Sequence, residues 1–288
     1  GHFAKYMVDQ YGEDIFRQMN FDYGDDIVPY GVNVTASRTM RKTYPEMYAD
    51  FRKVRGDSDA QVLRTIEETG RVEGRRITFT AQEAGTPRYS PNGQLYFMAR
   101  PIDDRPTLRR WNNEGGSERV AFGESNPDIA FMPDGDTAIV SFSDVHNFFR
   151  FYQDLYRVDL ETGERTQLTY GARVLSPDVA PDHSMVFVQQ RGGHSVLRLA
   201  TVDAPENAKT LVDLGPDSQV FTPRFVEDGN AVVFSGFQDG QRDLYRVEIE
   251  DGEWRRLTSD RHQDGGPMPS ADGRHVFFHS DRDGIFNI

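Results

Sequence analysis

Residues 222–235 read T-P-R-F-V-E-D-G-N-A-V-V-F-S, and this pattern decides the fold of the chain. A proline opens a short extended segment, an Asp-Gly pair reverses the chain direction, and an apolar run follows. An Asp-Gly pair between apolar runs is a strong hairpin signal, because glycine accepts the positive φ that tight turns require. The stretch therefore predicts two antiparallel strands joined by a turn that ends at Gly229.

The same phrase recurs with variations as T-P-R-Y-S-P-N-G, I-A-F-M-P-D-G, S-P-D-V-A-P-D-H and G-P-M-P-S-A-D-G. A repeat period of about 40–50 residues, with strands between turns, is the signature of a β-propeller that has one blade per repeat. If the last turn position of each phrase is taken as an anchor, successive anchors lie 42, 48, 46 and 44 residues apart: Gly93, Gly135, His183, Gly229 and Gly273.

The residues that follow each anchor are apolar on both faces of the predicted strand. Such a strand must be covered on both sides, and neighbouring propeller blades provide that cover. The phrase D-L-Y-R-V at 154–158 and 243–247 predicts an outer strand, and a glycine turn and a final Leu-Thr follow it. Each repeat thus supplies four short strands, and the apolar runs lie at 96–98, 138–140, 186–188, 232–234 and 276–278.

The repeat resembles that of the TolB-type, WD-repeat-like β-propeller. The shared features are a proline, an aromatic residue, a Ser-Pro-Asp-Gly turn, an apolar strand, an Asp-Leu-Tyr strand and a Leu-Thr ending. The resemblance covers residues 75–288 and implies a mainly β fold, preceded by a short α-helical region at 1–74. Propellers of this type usually have six blades, and about five are visible here, so we expect a propeller truncated at its C-terminal end. The strand at 285–288 should then be an open edge, the 276–278 face should be poorly covered, and the chain should self-associate.

Residues 1–74 have helical periodicity, and the apolar steps from Phe3 to Met19 predict one or two amphipathic helices, with a break at Gly12. The opening phrase G-H-F-A-K-Y-M-V-D-Q-Y-G-E-D resembles the helix after the zinc site in bacterial peptidase-like proteins fused to TolB-type propellers. In that family an upstream H-E-x-x-H helix holds the metal, and the seven histidines of this chain include no such motif. The resemblance implies a chain that begins after the catalytic helix; a helical cap on the propeller is the alternative.

Two capping-box patterns predict further helix starts at Thr43 and Ser58, and the second of these helices should end at Gly70. The acidic stretch 21–30 is predicted to be a loop. Residues 77–80 are predicted to be a strand that links the two regions.

The chain is acidic and lacks cysteine. Its 33 Lys and Arg residues oppose 46 Asp and Glu residues, which gives a net charge of −13 and disfavours binding to nucleic acid or anionic membranes. The absence of cysteine rules out disulfides and thiol chemistry, and no apolar run reaches transmembrane length.

Common catalytic motifs are absent from the sequence: it has no G-x-S-x-G, no Walker loop and no G-x-G-x-x-G. His275 and His279 lie four residues apart on a predicted strand, after His262, and a packed histidine pair is favoured over a zinc site. The D-R-D-G sequence at 281–284 covers half of a calcium loop and is explained as a hairpin turn. We therefore predict no catalytic residue, no metal site and no cofactor.

The second repeat holds an insertion, residues 141–153, that is rich in aromatic residues. Rigid scaffolds often present functional loops, and exposed aromatic side chains are typical interface anchors. Packing against a neighbouring blade or helical segment is the alternative. The predicted partner-binding residues are Phe142, His146, Phe148, Phe149, Phe151 and Tyr152.

A second candidate set occupies the position five residues before each anchor, on the inner strand of each predicted blade. Charge at this position indicates either a lined central channel or solvated or mutually paired side chains, and the second interpretation is favoured. The charged members are Arg88, Asp178 and Arg224, and the others are Ala130 and Met268.

These patterns predict a non-catalytic β-propeller scaffold that binds a protein or peptide partner within a larger exported bacterial protein. The enzyme-class alternative is a metallopeptidase-like parent whose substrate the propeller recruits or gates. We expect a periplasmic or otherwise exported location, and we expect missing parts of the parent chain to be further partners.

Overall fold

The structure is a computed structural model, and it describes residues 1–25, 31–70, 74–79, 83–112, 116–123, 128–270, 272–284 and 286–288. Two compact units divide the chain, Gly1–Arg75 and Arg76–Ile288. The first unit is helical, and the second is built from β-strands.

The helical unit has a small apolar core to which all four of its helices contribute. Gly12 adopts a φ of 93° and ends the first helix, so the predicted break is confirmed. The core side chains of this unit are Met7, Ile15, Met19, Ala36, Met40 and Met47. The helices are α1 (His2–Tyr11), α2 (Ile15–Gly24), α3 (Val32–Met40) and α4 (Tyr44–Thr69).

The capping box predicted at Thr43 is present at the start of α4. The Thr43 hydroxyl accepts the N–H of Glu46, and the Glu46 carboxylate accepts the N–H of Thr43 at 2.8 Å. The helix start predicted at Ser58 is wrong, because α4 continues through this exposed position as one helix of 26 residues. An exposed serine costs a helix interior little, so it does not force a new start.

The loop predicted at 21–30 is wrong over residues 21–24, which are the last turn of α2. Here a contact between helices overrides the local acidic composition, since the Thr39 hydroxyl of α3 donates to Asp22 at 2.6 Å. Residues 26–30 lie outside the described residues. The strand predicted at 77–80 is also wrong where it is described, because residues 77–79 lie in no strand.

The second unit contains, within the described ranges, four four-stranded antiparallel sheets and one two-stranded sheet, each formed by consecutive strands. This arrangement confirms a mainly β propeller fold behind a short helical region. Blade 1 comprises β1 (Glu83–Tyr89), β2 (Leu95–Arg100), β3 (Thr107–Trp111) and β4 (Ser117–Phe122), and blade 2 comprises β5 (Ile129–Phe131), β6 (Thr137–His146), β7 (Arg150–Asp159) and β8 (Arg165–Gln167). Blade 3 comprises β9 (Val174–Val179), β10 (Ser184–Arg191), β11 (His194–Thr201) and β12 (Ala204–Val212), and blade 4 comprises β13 (Gln219–Val226), β14 (Ala231–Gln238), β15 (Gln241–Glu248) and β16 (Trp254–Arg256).

The anchors deduced from the repeat are all turn residues with positive φ. Because the turns require this conformation, glycine occupies four of them, while His183 adopts it at the cost of strain. Their φ angles are 76° at Gly93, 76° at Gly135, 67° at His183, 99° at Gly229 and 67° at Gly273.

The fifth repeat is the least complete in the described ranges. It contains β17 (Asp264–Pro269) and β18 (Val276–Ser280), and Asn287 forms an isolated bridge with Ser280. Phe277 is 55% exposed, whereas the apolar runs of the other four repeats are buried, as the sequence predicted. The described residues thus form four complete blades and part of a fifth, and a six-bladed ring is not confirmed.

A β-bulge interrupts the inner strand in four of the five repeats. In each case the residue before the repeat proline adopts positive φ: 45° at Thr86, 50° at Ser176, 42° at Thr222 and 60° at Gly266. The register shifts at the same place, for example between Phe221 and Arg224. Such bulges re-aim the side chain that follows, here the residue after the proline.

Candidate functional site

The aromatic insertion of blade 2 is a long hairpin of β6 and β7, so its prediction as a loop is wrong. The two strands remain paired from Thr137 with Asp159 to His146 with Arg150, without a register shift. The insertion continues the pairing of β6 with β7, so it lengthens two strands of the blade. This hairpin extends one end of the blade.

Phe142 is part of the core and drops out of the predicted partner surface. It is 2% exposed, and its ring lies 5.5 Å from that of Tyr156. The guanidinium of Arg165 covers the Phe142 ring at 5.2 Å. Phe142 lies on the same face of β6 as Ala138 and Val140, since every second residue of a strand points to the same side, and all three belong to one core cluster.

The stem of the hairpin is held in place by packing and hydrogen bonds. The rings of His146 and Tyr152 lie 5.4 Å apart, and the guanidinium of Arg173 lies over Tyr152 at 4.7 Å. A side chain at Gly171 would approach the His146 ring to 2.7 Å, so glycine permits this close approach. The Tyr156 hydroxyl donates to Asp144 at 2.6 Å, and this hydrogen bond lowers the pKa of Asp144.

The tip of the hairpin presents aromatic rings to solvent. Phe148 is 100% exposed, Phe149 75% and Phe151 65%. Asn147 and Phe148 have φ angles of 48° and 71°, in the left-handed region. Asparagine tolerates that region, but phenylalanine rarely occupies it. We call residues 147–151 the aromatic tip.

Positively charged side chains border the aromatic tip. The guanidinium of Arg150 lies 5.8 Å from the Phe149 ring centroid, and Arg173 stacks on Tyr152 in the stem. Both arginines are exposed. Arg173 also borders a cleft of about 340 Å³, which is lined by Ser143, Phe151, Tyr152, Gln153, Arg173 and Gln190.

The charged residues predicted to line a central channel lie on three different blades, and two of them, Arg88 and Asp178, are in direct contact. Arg88 donates from Nη2 to Asp178 Oδ1 at 2.9 Å and from Nη1 to the sulfur of Met268 at 3.2 Å. The carboxylate of Asp178 also accepts the N–H of Phe225 at 2.8 Å. Arg224 is 6% exposed and donates to the carbonyl of its neighbour, Pro223, at 2.7 Å.

The histidines of the fifth repeat have structural neighbours. The His279 ring lies edge-on to Phe286 at 5.5 Å, and burial lowers its pKa, with a smaller contribution from Arg242. Asp281, from the half calcium loop, accepts the N–H of Gln263 at 2.8 Å. Within the described ranges, no group of three or more His, Asp or Glu side chains is arranged to hold a metal ion.

Sequence comparison finds a relative that matches a short part of the chain. No protein-family model matches it. Over 61 residues it is 36% identical to an uncharacterized protein of Agrobacterium fabrum, a match that includes 21% of this chain and 21% of that protein. The match thus spans about a fifth of the length of this curated relative.

Solved structures are similar to this chain over a larger part of its length. A protein assigned as TolB from Agrobacterium tumefaciens matches with a TM-score of 0.58 and 21% identity, over 71% of this chain and 72% of that one. TolB from Acinetobacter baumannii matches with a TM-score of 0.52 and 17% identity, over 69% of this chain and 51% of that one. A prolyl endopeptidase matches with a TM-score of 0.50 and 13% identity, over 69% of this chain and 32% of that one.

These similarities define the second unit as a β-propeller. Its fold is TolB-like. Identities of this size establish the fold and nothing about partners or activity. Among the helices that the structure describes, none has the length and apolar character needed to cross a bilayer.

Proposed function

We propose that this chain is a non-catalytic β-propeller scaffold that captures a protein partner through the aromatic tip. Phe148 carries the proposal, because its ring is fully exposed and its backbone is left-handed. The exposed ring contributes no buried area and the left-handed backbone is unfavourable for phenylalanine, so the fold does not account for this residue type here. Strained residues concentrate at functional sites, and exposed aromatic residues are preferred interface anchors.

The charges around the aromatic tip favour a partner with an apolar pocket and an acidic rim. Arg150 and Arg173 flank the exposed rings on a chain whose net charge is −13. Complementary charges at the rim of an interface mainly accelerate association, and salt screens them. The anchored stem reduces the ordering that binding requires, which favours affinity.

Removal of the tip rings is expected to abolish capture without unfolding the chain. The double variant Phe148→Gly, Phe149→Ser removes two exposed rings, and glycine relieves the left-handed strain at 148. The free energy of unfolding should therefore stay within about 0.5 kcal/mol of the original or rise. Partner capture from a periplasmic extract, quantified by mass spectrometry with the chain as bait, should fall at least tenfold.

The matched control for this experiment is Tyr89→Ser, which removes an aromatic ring that is 69% exposed in blade 1. It should retain full capture. Equal capture by the original chain and the tip variant would overturn the proposal. Tip-dependent sedimentation with vesicles of phosphatidylethanolamine and phosphatidylglycerol, in place of protein capture, would also overturn it.

We expect this chain to hydrolyse neither casein nor generic peptide and ester substrates, with or without added zinc. The reason is that its sequence contains none of the common hydrolase motifs. Release of amines or alcohols measured over a day is the assay. Turnover that disappears in His275→Ala or His279→Ala would contradict this prediction.

A second candidate function is a propeller that recruits or gates the substrate of a metallopeptidase-like parent. The fold similarity to a prolyl endopeptidase and the opening sequence 1–14 support it. An H-E-x-x-H helix encoded upstream in the same gene would favour this second function over the first. In either case we propose that the protein is exported to the periplasm. Fractionation of cells that produce the full gene product tests this location.

A further inference from the structure

Arg224 is a buried cation that lacks a full set of partners. Its side chain donates from Nη1 to the carbonyl of Pro223, and its Nε–H has no hydrogen-bond partner among the described residues. Burial lowers its pKa to about 10, and the charge of Arg88 acts in the same direction. A buried donor without an acceptor costs free energy, and more so when it carries charge.

The neighbouring carboxylates are already engaged elsewhere. Asp178 accepts from Arg88 and from the N–H of Phe225, at 2.9 and 2.8 Å. Asp128 accepts from the Ser176 hydroxyl. Among the described residues, no carboxylate forms an ion pair with Arg224, although Asp178 and Asp128 are near enough to raise its pKa.

The local backbone directs Arg224 and Arg88 towards the same place. Each follows a proline whose preceding residue, Thr222 or Thr86, is left-handed, and each lies at a β-bulge. Bulges that re-aim a side chain are common next to binding sites. Met268, which contacts Arg88, is 37% exposed, and the side chains of Arg88 and Asp178 are 13% and 15% exposed.

We propose that the inner strands of the propeller form a carboxylate-binding site in which Arg224 supplies the free donors. A carboxylate accepts two parallel N–H groups from one guanidinium, the geometry that arginine provides and lysine does not. The ion pair with Arg88 engages Asp178 at 2.9 Å, and this carboxylate forms no ion pair with Arg224. The carboxylate belongs to a free organic acid or to a peptide terminus, and this site is independent of the aromatic tip.

Acetate is the probe for the shared chemistry, and acetamide is its neutral control. Calorimetric titration at constant ionic strength should give saturable binding of acetate in the millimolar range and none of acetamide. The variant Arg224→Gln should weaken acetate binding at least tenfold. Triglycine with a free terminus, compared with amidated triglycine, separates a peptide source from a small acid.

The control variant is Arg242→Gln, because Arg242 is also partly buried and also has an unpartnered Nε. It should bind acetate as the original chain does. Without ligand, Arg224→Gln should unfold at the same temperature as the original chain or higher, since the variant removes an incompletely paired buried charge. A marked loss of stability would assign Arg224 a structural role and overturn the proposal, as would unsaturable acetate binding or an equal effect of both variants.

Discussion

Replacement of Asp154 by alanine is expected to lower the free energy of unfolding of the propeller unit by about 3–5 kcal/mol. Asp154 is 2% exposed, and its carboxylate accepts three hydrogen bonds. The donors are the Thr169 hydroxyl at 2.8 Å, the N–H of Gly171 at 2.7 Å and the N–H of Ala172 at 2.9 Å. Alanine would leave all three donors without their acceptor at the place where blade 2 leads into blade 3.

Tryptophan fluorescence during urea unfolding measures this loss, because both tryptophans of the chain, Trp111 and Trp254, lie in the propeller. The control is Glu206→Ala, which removes the same charge from an exposed position of β12 and should change stability by less than about 0.5 kcal/mol. If the two variants unfold at the same urea concentration, the buried network contributes nothing.

The residues of this hydrogen-bond network recur in the sequence repeat, but the repeat does not show that they are bonded to each other. Asp154 and Asp243 begin the two copies of the D-L-Y-R-V phrase, and each lies one strand away from a Leu-Thr ending. In blade 4, the Thr258 hydroxyl donates to Asp243 at 3.3 Å, as Thr169 does to Asp154 in blade 2. The strands could be predicted from their apolar residues, whereas the hydrogen bonds depend on how the third and fourth strands meet.

The turns could be predicted from the sequence, whereas the bulges of the inner strands could not. Positive φ at Gly93 and at the other glycine anchors is a conformation that glycine adopts readily, so these turns were predictable. The bulge before each proline could not be predicted, because Thr222 and Ser176 are residue types that seldom adopt positive φ. Spacing nevertheless placed Arg88 and Asp178 at equivalent positions, and the bulges bring them within 2.9 Å of each other.

The aromatic insertion was recognisable by its composition, but composition does not distinguish a loop from an extended hairpin. The structure shows two paired strands whose side chains are buried near the blade and exposed towards the tip, so Phe142 is buried and Val145 is 51% exposed. The partner strand β7 shows the same change along its length, with Phe151 exposed near the tip and Leu155 buried in the blade. The predicted set of six partner-binding residues therefore divides into a core residue, a packed stem of His146 and Tyr152, and three exposed rings.

Replacement of Phe142 by alanine is expected to lower the free energy of unfolding by about 3–5 kcal/mol, the usual cost of deleting a buried aromatic ring. The ring contacts Tyr156 and Arg165 and belongs to the core shared by blades 1 and 2. Its removal would leave a cavity that paired strands cannot close by small shifts. Urea unfolding monitored by tryptophan fluorescence gives the difference.

The matched variant is Phe148→Ala, six residues further along the same hairpin. Its ring is 100% exposed, so no buried area is lost, and alanine should leave stability within about 0.5 kcal/mol of the original. The pair tests the division of the hairpin because the chemical change is identical and only the surroundings differ. Equal losses in both variants would mean that the tip packs like the core, and Phe148 could then no longer serve as an exposed anchor.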